Sequence, residues 1–206
     1  MSGITTIEGA DARAIADWLA ERLRVAGGRD VAISVPGGST PFPIFEALVT
    51  GDVDFTRLAV WPNDDRIVAE DHEASNTGRI RAIFEPVGAK VVALSEGLAP
   101  PRFELVWLGM GEDGHVASLF PNTDPRADDP LPIRRLTPDP LPPHAPFDRI
   151  TLTLPSLLAT QELMFVIRGE EKRGVFEAAA GGRTDLPVAR LLGAARARGI
   201  PVTLFA

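Results

Sequence analysis

An acid and a histidine lie two positions apart in this chain, at the end of a glycine-rich turn. Residues 108–115 have the sequence Leu-Gly-Met-Gly-Glu-Asp-Gly-His, and an apolar run, residues 105–108, leads into the turn. Glycine lets the backbone approach a ligand closely, and histidine is well suited to moving protons near neutral pH. Because open α/β sheets place their sites at the carboxyl ends of strands, we predict that Asp113 and His115 belong to a catalytic site. An ordinary strand-to-helix turn with a surface histidine is the alternative.

A second glycine-containing loop has the features of an anion site. Residues 37–41, Gly-Gly-Ser-Thr-Pro, follow a predicted strand, Val31–Val35, and precede a predicted helix over residues 41–48. Proline favours the first helical position, and Ser39 or Thr40 is expected to cap the helix. The free N–H groups and the dipole at a helix N-terminus attract anions. The loop is neither a Walker A sequence nor a dinucleotide fingerprint, and a well-capped turn without a ligand is the alternative.

Two further charged segments follow or precede predicted elements. Asp64, Asp65 and Arg66 come after a predicted strand, residues 58–61. Such groups can bind sugar hydroxyls or orient a water, although a solvated loop cluster is an equally common explanation. Lys172 is one of two lysines among 21 basic residues, and it falls in the first turn of a predicted helix, where the helix dipole disfavours a cation. A bound anion would relieve that conflict; without one, Lys172 points to water.

Alternating strand and helix signals must position these groups. Strands are predicted over residues 31–35, 58–61, 91–94, 103–108, 150–154, 163–168 and 202–205. Helices are predicted over residues 10–26, 41–48, 76–84 and 170–180, with two more that begin near Gly114 and at Pro187. Strands separated by helices indicate βαβ units. We therefore predict a single α/β domain over residues 1–206, with a mostly parallel twisted sheet and helices on both faces.

One segment interrupts this alternation. Nine of the 27 residues over 121–147 are proline. Proline lacks an N–H donor and fixes φ, so a helix or a central strand is excluded there. A loop this long within a compact domain is uncommon and is usually functional. We expect it to form a wall of the site, and a plain surface connection is the alternative.

Composition limits the function further. The chain of 206 residues contains no cysteine, which excludes disulfides, thiol nucleophiles and thiolate metal sites. Its formal net charge of −7 argues against general nucleic-acid binding, which needs a basic face. No apolar run approaches the roughly 18 residues of a membrane span, and the first residues lack a signal-peptide pattern. We therefore expect a cytoplasmic protein that binds neither nucleic acid nor membrane.

Considered together, these motifs resemble those of the 6-phosphogluconolactonase family. The resemblance covers residues from about 31 to 180. The matching segments occur in the family's order: VPGGSTP at 35–41, NDDR at 63–66 followed by Ser75 and Asn76, LGMGEDGHVASLFP at 108–121, DRITLTLP at 148–155 and RGEEK at 168–172.

The wider family also includes glucosamine-6-phosphate deaminases. These share the glycine loop and the Asp-Gly-His turn, but they carry a glutamate in a His-Ile-Ala-Phe-Asn-Glu-Pro run. Residues 115–121 are instead His-Val-Ala-Ser-Leu-Phe-Pro, which is similar to the lactonase pattern. Two departures from that pattern occur: Asp65 stands where lactonases usually have glutamate, and Asn63 precedes the two acids.

The resemblance implies a modified Rossmann-like fold and the hydrolysis of 6-phospho-D-glucono-1,5-lactone to 6-phosphogluconate, the second step of the oxidative pentose phosphate pathway. It implies neither a metal nor another cofactor, since a strained lactone is already reactive. His115 is expected to act as general base toward water and then as proton donor to the ring oxygen. Asp113 would fix the imidazole tautomer or hold a substrate hydroxyl, and Asp64 is the next candidate for the base.

The resemblance also implies which residues hold the substrate. The expected phosphate-binding residues are Gly37, Gly38, Ser39, Thr40, Lys172 and Arg79. Arg81 or Arg149 is an alternative to Arg79. The expected sugar-binding residues are Asp65, Arg66 and Gly111. The only expected partner is a small sugar-phosphate lactone, and the expected assembly is a monomer or a weak homodimer.

Two other functions fit parts of the same pattern. A sugar-phosphate deaminase or isomerase would abstract a proton from carbon, and the missing glutamate argues against it. A non-catalytic sugar-phosphate-binding protein would keep the anion loop and could lose His115. The presence of His115, Asp113 and Asp64 argues against that function.

Overall fold

A parallel sheet forms the centre of the structure, a computed structural model that describes residues 3–25, 28–141 and 145–206. Within these residues the strands are β1 (Ile4–Ile7), β2 (Val31–Val35), β3 (Leu58–Pro62), β4 (Asp64–Arg66), β5 (Lys90–Val91), β6 (Phe103–Leu108), β7 (Ile133–Leu136), β8 (Arg149–Leu152), β9 (Thr160–Val166) and β10 (Val202–Phe205). The helices are α1 (Ala12–Val25), α2 (Pro41–Val49), α3 (Asn76–Phe84), α4 (Leu154–Leu157), α5 (Glu170–Ala180) and α6 (Pro187–Ala197). The parallel strands follow the order β1-β10-β9-β6-β2-β3-β5, which confirms the predicted sheet.

Apolar side chains cover both faces of this sheet. On one face, Leu105 and Trp107 of β6 belong to a core with residues of α1, α2 and α3, and Phe45 of α2 meets Trp107 at 5.2 Å between ring centroids. On the other face, Val106 and Leu108 belong to a core with residues of α5 and α6. Strands buried on both sides need apolar residues at consecutive positions. The predicted helices on both faces are therefore confirmed.

The strand order creates a crevice at the carboxyl ends of β2 and β6. From β2 the chain moves outward to β3 and β5, and it then returns to β6 on the other side of β2. The loops after β2 and β6 consequently leave the sheet in different directions. Such a switch point is where open α/β sheets bind ligands. The glycine loop after β2 and the Asp-Gly-His turn after β6 both lie there.

Three short strands form a second, antiparallel sheet of order β4-β8-β7, which the sequence did not predict. Asp64 and Arg66 of β4 lie opposite Thr151 and Arg149 of β8. Strand β7 lies within the proline-rich segment 121–147, at the edge of this small sheet, where flanking prolines are tolerated. Pairing with β8 fixes the backbone that carries Asp64 and Arg66.

The predicted helix near Gly114 is wrong. Residues 110–119 form a turn in which Val116 bridges to both Met110 and Leu119. Gly114 has a φ of +76° and Ala117 has a φ of 50°. Two left-handed residues three positions apart are incompatible with a right-handed helix.

The remaining differences from the predicted elements are smaller. Strand β5 shares only Val91 with the predicted range 91–94, β8 ends two residues before the end of the predicted range 150–154, and β9 begins and ends earlier than the predicted range 163–168. Strand β1 and helix α4 were not predicted. The helix predicted over residues 10–26 is α1, and residue 26 lies outside the described residues, as do residues 142–144 of the proline-rich segment. In the ranges that the structure describes, no helix has the length and apolar character needed to cross a membrane.

Gly78, the third residue of α3, should not tolerate a side chain. A Cβ at this position would lie 1.9 Å from the backbone oxygen of Glu70, so Gly78→Ala is expected to lower the free energy of unfolding by about 1–3 kcal/mol. Gly193→Ala is the matched control, because Gly193 is an exposed helical glycine in α6 with no atom within 4 Å of the added Cβ. That change should raise the free energy of unfolding by about 0.5–1 kcal/mol. Urea denaturation of both variants measures the two effects, and equal effects would contradict this packing.

Candidate active site

A cleft of about 350 Å³ opens at the carboxyl ends of β2, β3, β6 and β9. Of the residues selected from the sequence, it is lined by Gly37, Gly38, Ser39, Thr40, Asp64, Arg66, Gly111, His115 and Lys172. Residues that the sequence did not assign also line it, among them Asn76, Trp107, Met110, Ala117 and Arg168. Segments that are far apart in the chain thus meet at the switch point of the sheet.

His115 and Asp113 form a hydrogen-bonded pair. The distance between His115 Nδ1 and Asp113 Oδ1 is 2.6 Å, and the His115 backbone N–H donates to the same oxygen at 3.1 Å. An ionised carboxylate only accepts hydrogen bonds, so Nδ1 carries a proton, and in the neutral imidazole Nε2 is the nitrogen with the free lone pair. The hydrogen bond from His115 lowers the pKa of Asp113, although partial burial opposes this effect. Asp113 does not line the cleft. Of the two roles that the sequence left open, its position therefore suits orientation of the imidazole and not contact with a substrate hydroxyl.

Gly111 makes room for this pair. A Cβ on Gly111 would lie 2.2 Å from His115 Nδ1 and 2.6 Å from Asp113 Oδ1. Backbone hydrogen bonds hold the turn, from Gly111 N–H to His115 O and from Gly114 N–H to Gly111 O, each at 3.0 Å. The ring of Phe120 packs against the imidazole at 4.9 Å between centroids. Gly111 is therefore required by the geometry of the acid–imidazole pair itself.

Asp64 reaches the cleft from β4. Its Oδ2 accepts a hydrogen bond from the hydroxyl of Ser118, and its backbone oxygen accepts one from Asn76 Nδ2 at 3.0 Å. Burial raises the pKa of Asp64, while the bond from Ser118 and the positive charge of Arg66 act in the opposite direction. The structure thus supports Asp64 as a cleft carboxylate, and Ser118 is a partner that the sequence did not identify.

The glycine loop leads into α2 as predicted, but without the expected side-chain cap. Pro41 is the first residue of α2, and Thr40 at the cap position has helical backbone angles and makes no capping hydrogen bond through its side chain. Capping side chains usually need an extended backbone at this residue, which explains why the predicted cap does not form. The N–H groups at this helix end are consequently not occupied by a side-chain cap.

Asn76 packs directly beneath this loop. A Cβ on Gly37 would lie 2.0 Å from Asn76 Oδ1, so any other residue at this position would displace the Asn76 side chain. The side chain of Asn76 is buried, and within the described residues its Oδ1 has no hydrogen-bond partner. The pairing of Gly37 with Asn76 joins the anion loop to the start of α3. The Ser75–Asn76 motif was the only signal of this contact in the sequence.

Asp65 faces away from the cleft. Its carboxylate accepts hydrogen bonds from the backbone N–H groups of Asn76 at 2.6 Å and Thr77 at 2.9 Å, and from the Ser75 hydroxyl at 3.2 Å. Asp65 is 6% exposed and does not line the cleft. Its acceptor oxygens are used to cap α3, which leaves the sugar-binding role expected from the sequence without geometric support.

Three cationic side chains line the cleft against a single carboxylate, that of Asp64, among the residues described. Lys172 is the third residue of α5, as predicted, and forms no ion pair within the described part of the chain. Arg66 comes from β4, and its Nη1 donates to Ala74 O at 2.7 Å. Arg168 follows β9 and was not assigned a role from the sequence. The cleft is therefore locally basic in an acidic chain.

None of the three arginines considered for the phosphate lines the cleft, as far as the described residues show. The guanidinium of Arg79 lies 3.8 Å from the centroid of the Phe42 ring. Arg81 is bound in ion pairs to Glu70, at 2.8 Å, and to Glu85. The expected contact of Arg79 or Arg81 with phosphate is therefore not supported.

Arg149 is the buried first residue of β8 in the small sheet. Its guanidinium donates to the backbone oxygens of Ala145, at 2.7 Å, and Phe147. Burial lowers the pKa of Arg149, and the nearby charge of Arg66 acts in the same direction. Arg149 contributes positive charge near Arg66 but does not reach the cleft.

The proline-rich segment is not a wall of this cleft. No described residue between 121 and 147 lines it. Part of the segment forms β7, and other parts, including Pro121 and Pro138, line a second cavity that Asp113, His115 and Phe120 also line. Because β7 is tied to β8 by strand pairing, the segment is held beside the small sheet.

The fold and the site together define a class of protein. This class is a doubly wound α/β protein that has an acid–imidazole pair and a basic cleft for an anion. A profile of the family described as glucosamine-6-phosphate isomerases/6-phosphogluconolactonase matches residues 8–89 and 87–198. The chain belongs to this family.

Individual relatives agree with that assignment. The chain is 33% identical to a 6-phosphogluconolactonase from Pseudomonas aeruginosa over 192 residues, covering 82% of this chain and 80% of the relative. It is 32% identical to one from Neisseria meningitidis over 194 residues, covering 83% and 82% of the two chains. The structure of a 6-phosphogluconolactonase from Trypanosoma cruzi has a TM-score of 0.81 at 20% identity, covering 100% of this chain and 95% of the other, and shows the shared fold.

Gly111→Ala should disrupt the acid–imidazole pair without unfolding the protein. Because the added Cβ overlaps both His115 and Asp113, the imidazole must move, and misplacement by about 1 Å can lower kcat by about 10²-fold. Gly97→Ala is the control, since its Cβ meets nothing within 4 Å. Steady-state kinetics and circular dichroism of both variants test the expectation. A Gly111→Ala variant with wild-type kcat would show that this pair is not needed for activity.

Proposed function

We propose that this chain hydrolyses 6-phospho-D-glucono-1,5-lactone to 6-phosphogluconate. One observation carries the proposal: the His115 imidazole, with Nδ1 bound to Asp113, lines the same cleft as the glycine loop and Lys172. A base that can activate water and a place for a phosphate are thereby combined in one site. The relatives named 6-phosphogluconolactonase support this reaction.

The phosphate is bound by the glycine loop and the basic side chains of the cleft. Gly38, with a φ of +90°, and the residues at the start of α2 present backbone N–H groups to an anion. Lys172 adds a charge that the N-terminal dipole of α5 would otherwise disfavour. Arg168 lies four positions before Lys172 in the chain and lines the cleft, and it takes the place of Arg79 in this proposal.

The reaction proceeds by base-activated attack of water on the lactone carbonyl. His115 Nε2 takes a proton from the water as its oxygen bonds to the carbonyl carbon, and a tetrahedral oxyanion forms. The oxyanion then collapses, the bond from that carbon to the ring oxygen breaks, and the imidazolium returns its proton to the ring oxygen. Asp113 stays ionised throughout and stabilises the imidazolium through the 2.6 Å hydrogen bond.

The sugar ring lies against β4 and the Asp-Gly-His turn. Asp64 has one carboxylate oxygen bound to Ser118 and another that can accept a hydrogen bond from a sugar hydroxyl or from the attacking water. Arg66 and Gly111 line the cleft and are placed to contact the ring. Asp65 has no part in this proposal because its carboxylate is bound by α3.

A deaminase function is less well supported by the residues beside His115. Counting from the histidine, Phe120 occupies the position of the glutamate that the deaminase pattern carries. The phenyl ring packs on the imidazole at 4.9 Å and has no acid–base chemistry. A cytoplasmic location and a monomeric or weakly dimeric state stay predictions from the sequence.

His115→Asn should abolish most of the catalysed hydrolysis. Without the imidazole base, kcat is expected to fall by about 10²-fold or more while KM changes little. The measurement is the rate of acid release from 6-phosphogluconolactone, corrected for spontaneous opening, together with ammonia release from glucosamine 6-phosphate.

His72→Asn serves as the matched control, because His72 is an exposed histidine that does not line the cleft. Wild-type protein without lactone hydrolysis above the spontaneous rate would refute the proposed function. If the wild type and the His115→Asn variant are equally active, the proposed function stands. The general base is then a residue other than His115, and Asp64 is the first candidate.

Lys172→Ala should weaken recognition of the phosphate selectively. We expect KM for the phosphorylated lactone to rise by about tenfold or more, because a charge-assisted contact to phosphate is lost. Hydrolysis of unphosphorylated gluconolactone should change little. Lys90→Ala, which removes the other lysine, an exposed residue of β5, is the control. Equal losses on both substrates would rule out a role of Lys172 in phosphate binding.

A further inference from the structure

The turn that carries His115 also delivers a hydroxyl group to Asp64. Ser118 is 1% exposed, and its Oγ donates a hydrogen bond to Asp64 Oδ2. The backbone N–H of Ser118 donates to Thr151 Oγ1 at 3.2 Å, and this hydroxyl in turn donates to the backbone oxygen of Leu152 at 3.0 Å. Ser118 is therefore held on one side by β8 and bonded on the other to a carboxylate of the cleft.

The backbone of the turn links the positions of Ser118 and His115. Val116, between them, bridges to both Met110 and Leu119. Ala117 has a φ of 50° and lines the cleft. A non-glycine residue in this left-handed region is unfavourable and persists only where its surroundings impose it. Ala117 reverses the direction of the chain. As a result His115 lines the cleft, and Ser118, three positions later, contacts a carboxylate of the same cleft.

We propose that Ser118 is a positioning residue of the reaction, which fixes the Asp64 carboxylate by donating to Oδ2 and leaves Oδ1 to accept a hydrogen bond from the substrate or the attacking water. This inference rests on the proposed function. Ser118 itself does not line the cleft, so it acts through Asp64 alone.

The bond also acts on the charge of Asp64. A hydroxyl that donates to a carboxylate favours the ionised form, whereas burial favours the neutral form. Burial raises the pKa of Asp64, and the Ser118 hydroxyl is the strongest of the groups that oppose it. The charged and titratable groups that face Asp64 are Arg66 and Asp65 on β4, Arg149 on β8 and His115 on the turn, with Arg168 and Lys172 in the same cleft. The Ser118→Ala substitution alters none of these residues.

Ser118→Ala separates this role from a merely structural one. Removal of the hydroxyl should raise the pKa of Asp64, so the part of the acid limb of the kcat/KM profile that belongs to Asp64, rather than to the His115 base, should move to higher pH by about one unit. At a pH below that limb, kcat/KM should be about tenfold lower than in the wild type, and the difference should shrink as the pH rises. A loss of the same size at every pH would overturn the proposal.

A direct titration of Asp64 by carboxyl ¹³C NMR, with Asp64→Asn to assign the resonance, needs no activity. The resonance should titrate at higher pH in Ser118→Ala than in the wild type, and identical titrations would overturn the proposal. Ser156→Ala is the matched control, because Ser156 is a buried serine that donates to Pro132 O outside the cleft. It should leave the titration and the kinetic profile unchanged. An inactive wild type would refute the proposed function, whereas an active wild type with an unshifted Ser118→Ala variant would refute this inference alone.

Discussion

The missing Cβ atoms of two glycines are the constraint on which the cleft depends. Asn76 occupies the space beside Gly37, and the pair of Asp113 and His115 occupies the space beside Gly111. These side chains approach the backbone more closely than any residue with a Cβ would permit. Glycine is therefore needed in the two loops because it leaves volume free. In each loop a side chain of the site occupies that volume.

The local charge of the cleft is opposite in sign to the net charge of the protein. The net charge of −7 repels a phosphorylated substrate at long range, but three cationic side chains line the cleft. Arg149, buried in β8 opposite Arg66, adds a further positive charge there. Because interactions at short range and in partly buried sites are screened less than those at the surface, the local field of the cleft decides the binding of an anion.

The sequence predicted the parallel sheet and most of the cleft, because continuous apolar runs identify buried strands and because site residues follow strand ends. It could not separate Asp64 from Asp65. Both are acids after β3, and only the pairing of β4 with β8 directs one to the cleft and the other to α3. The prediction of a helix near Gly114 was wrong because nothing in the sequence indicates the left-handed conformation of Ala117. Contacts such as that of Ser118 with Asp64 join distant segments and carry no local signal.

The edge strand β5 has a consequence for the behaviour of the protein in concentrated solution. An open sheet ends in unpaired backbone groups that can recruit a strand from another molecule, and short or charged edges prevent this. Strand β5 contains only two residues, and one of them is the exposed Lys90. An incoming chain would find too few backbone groups for a stable ladder, and it would have to desolvate an ammonium group. This end of the sheet is thereby protected against aggregation.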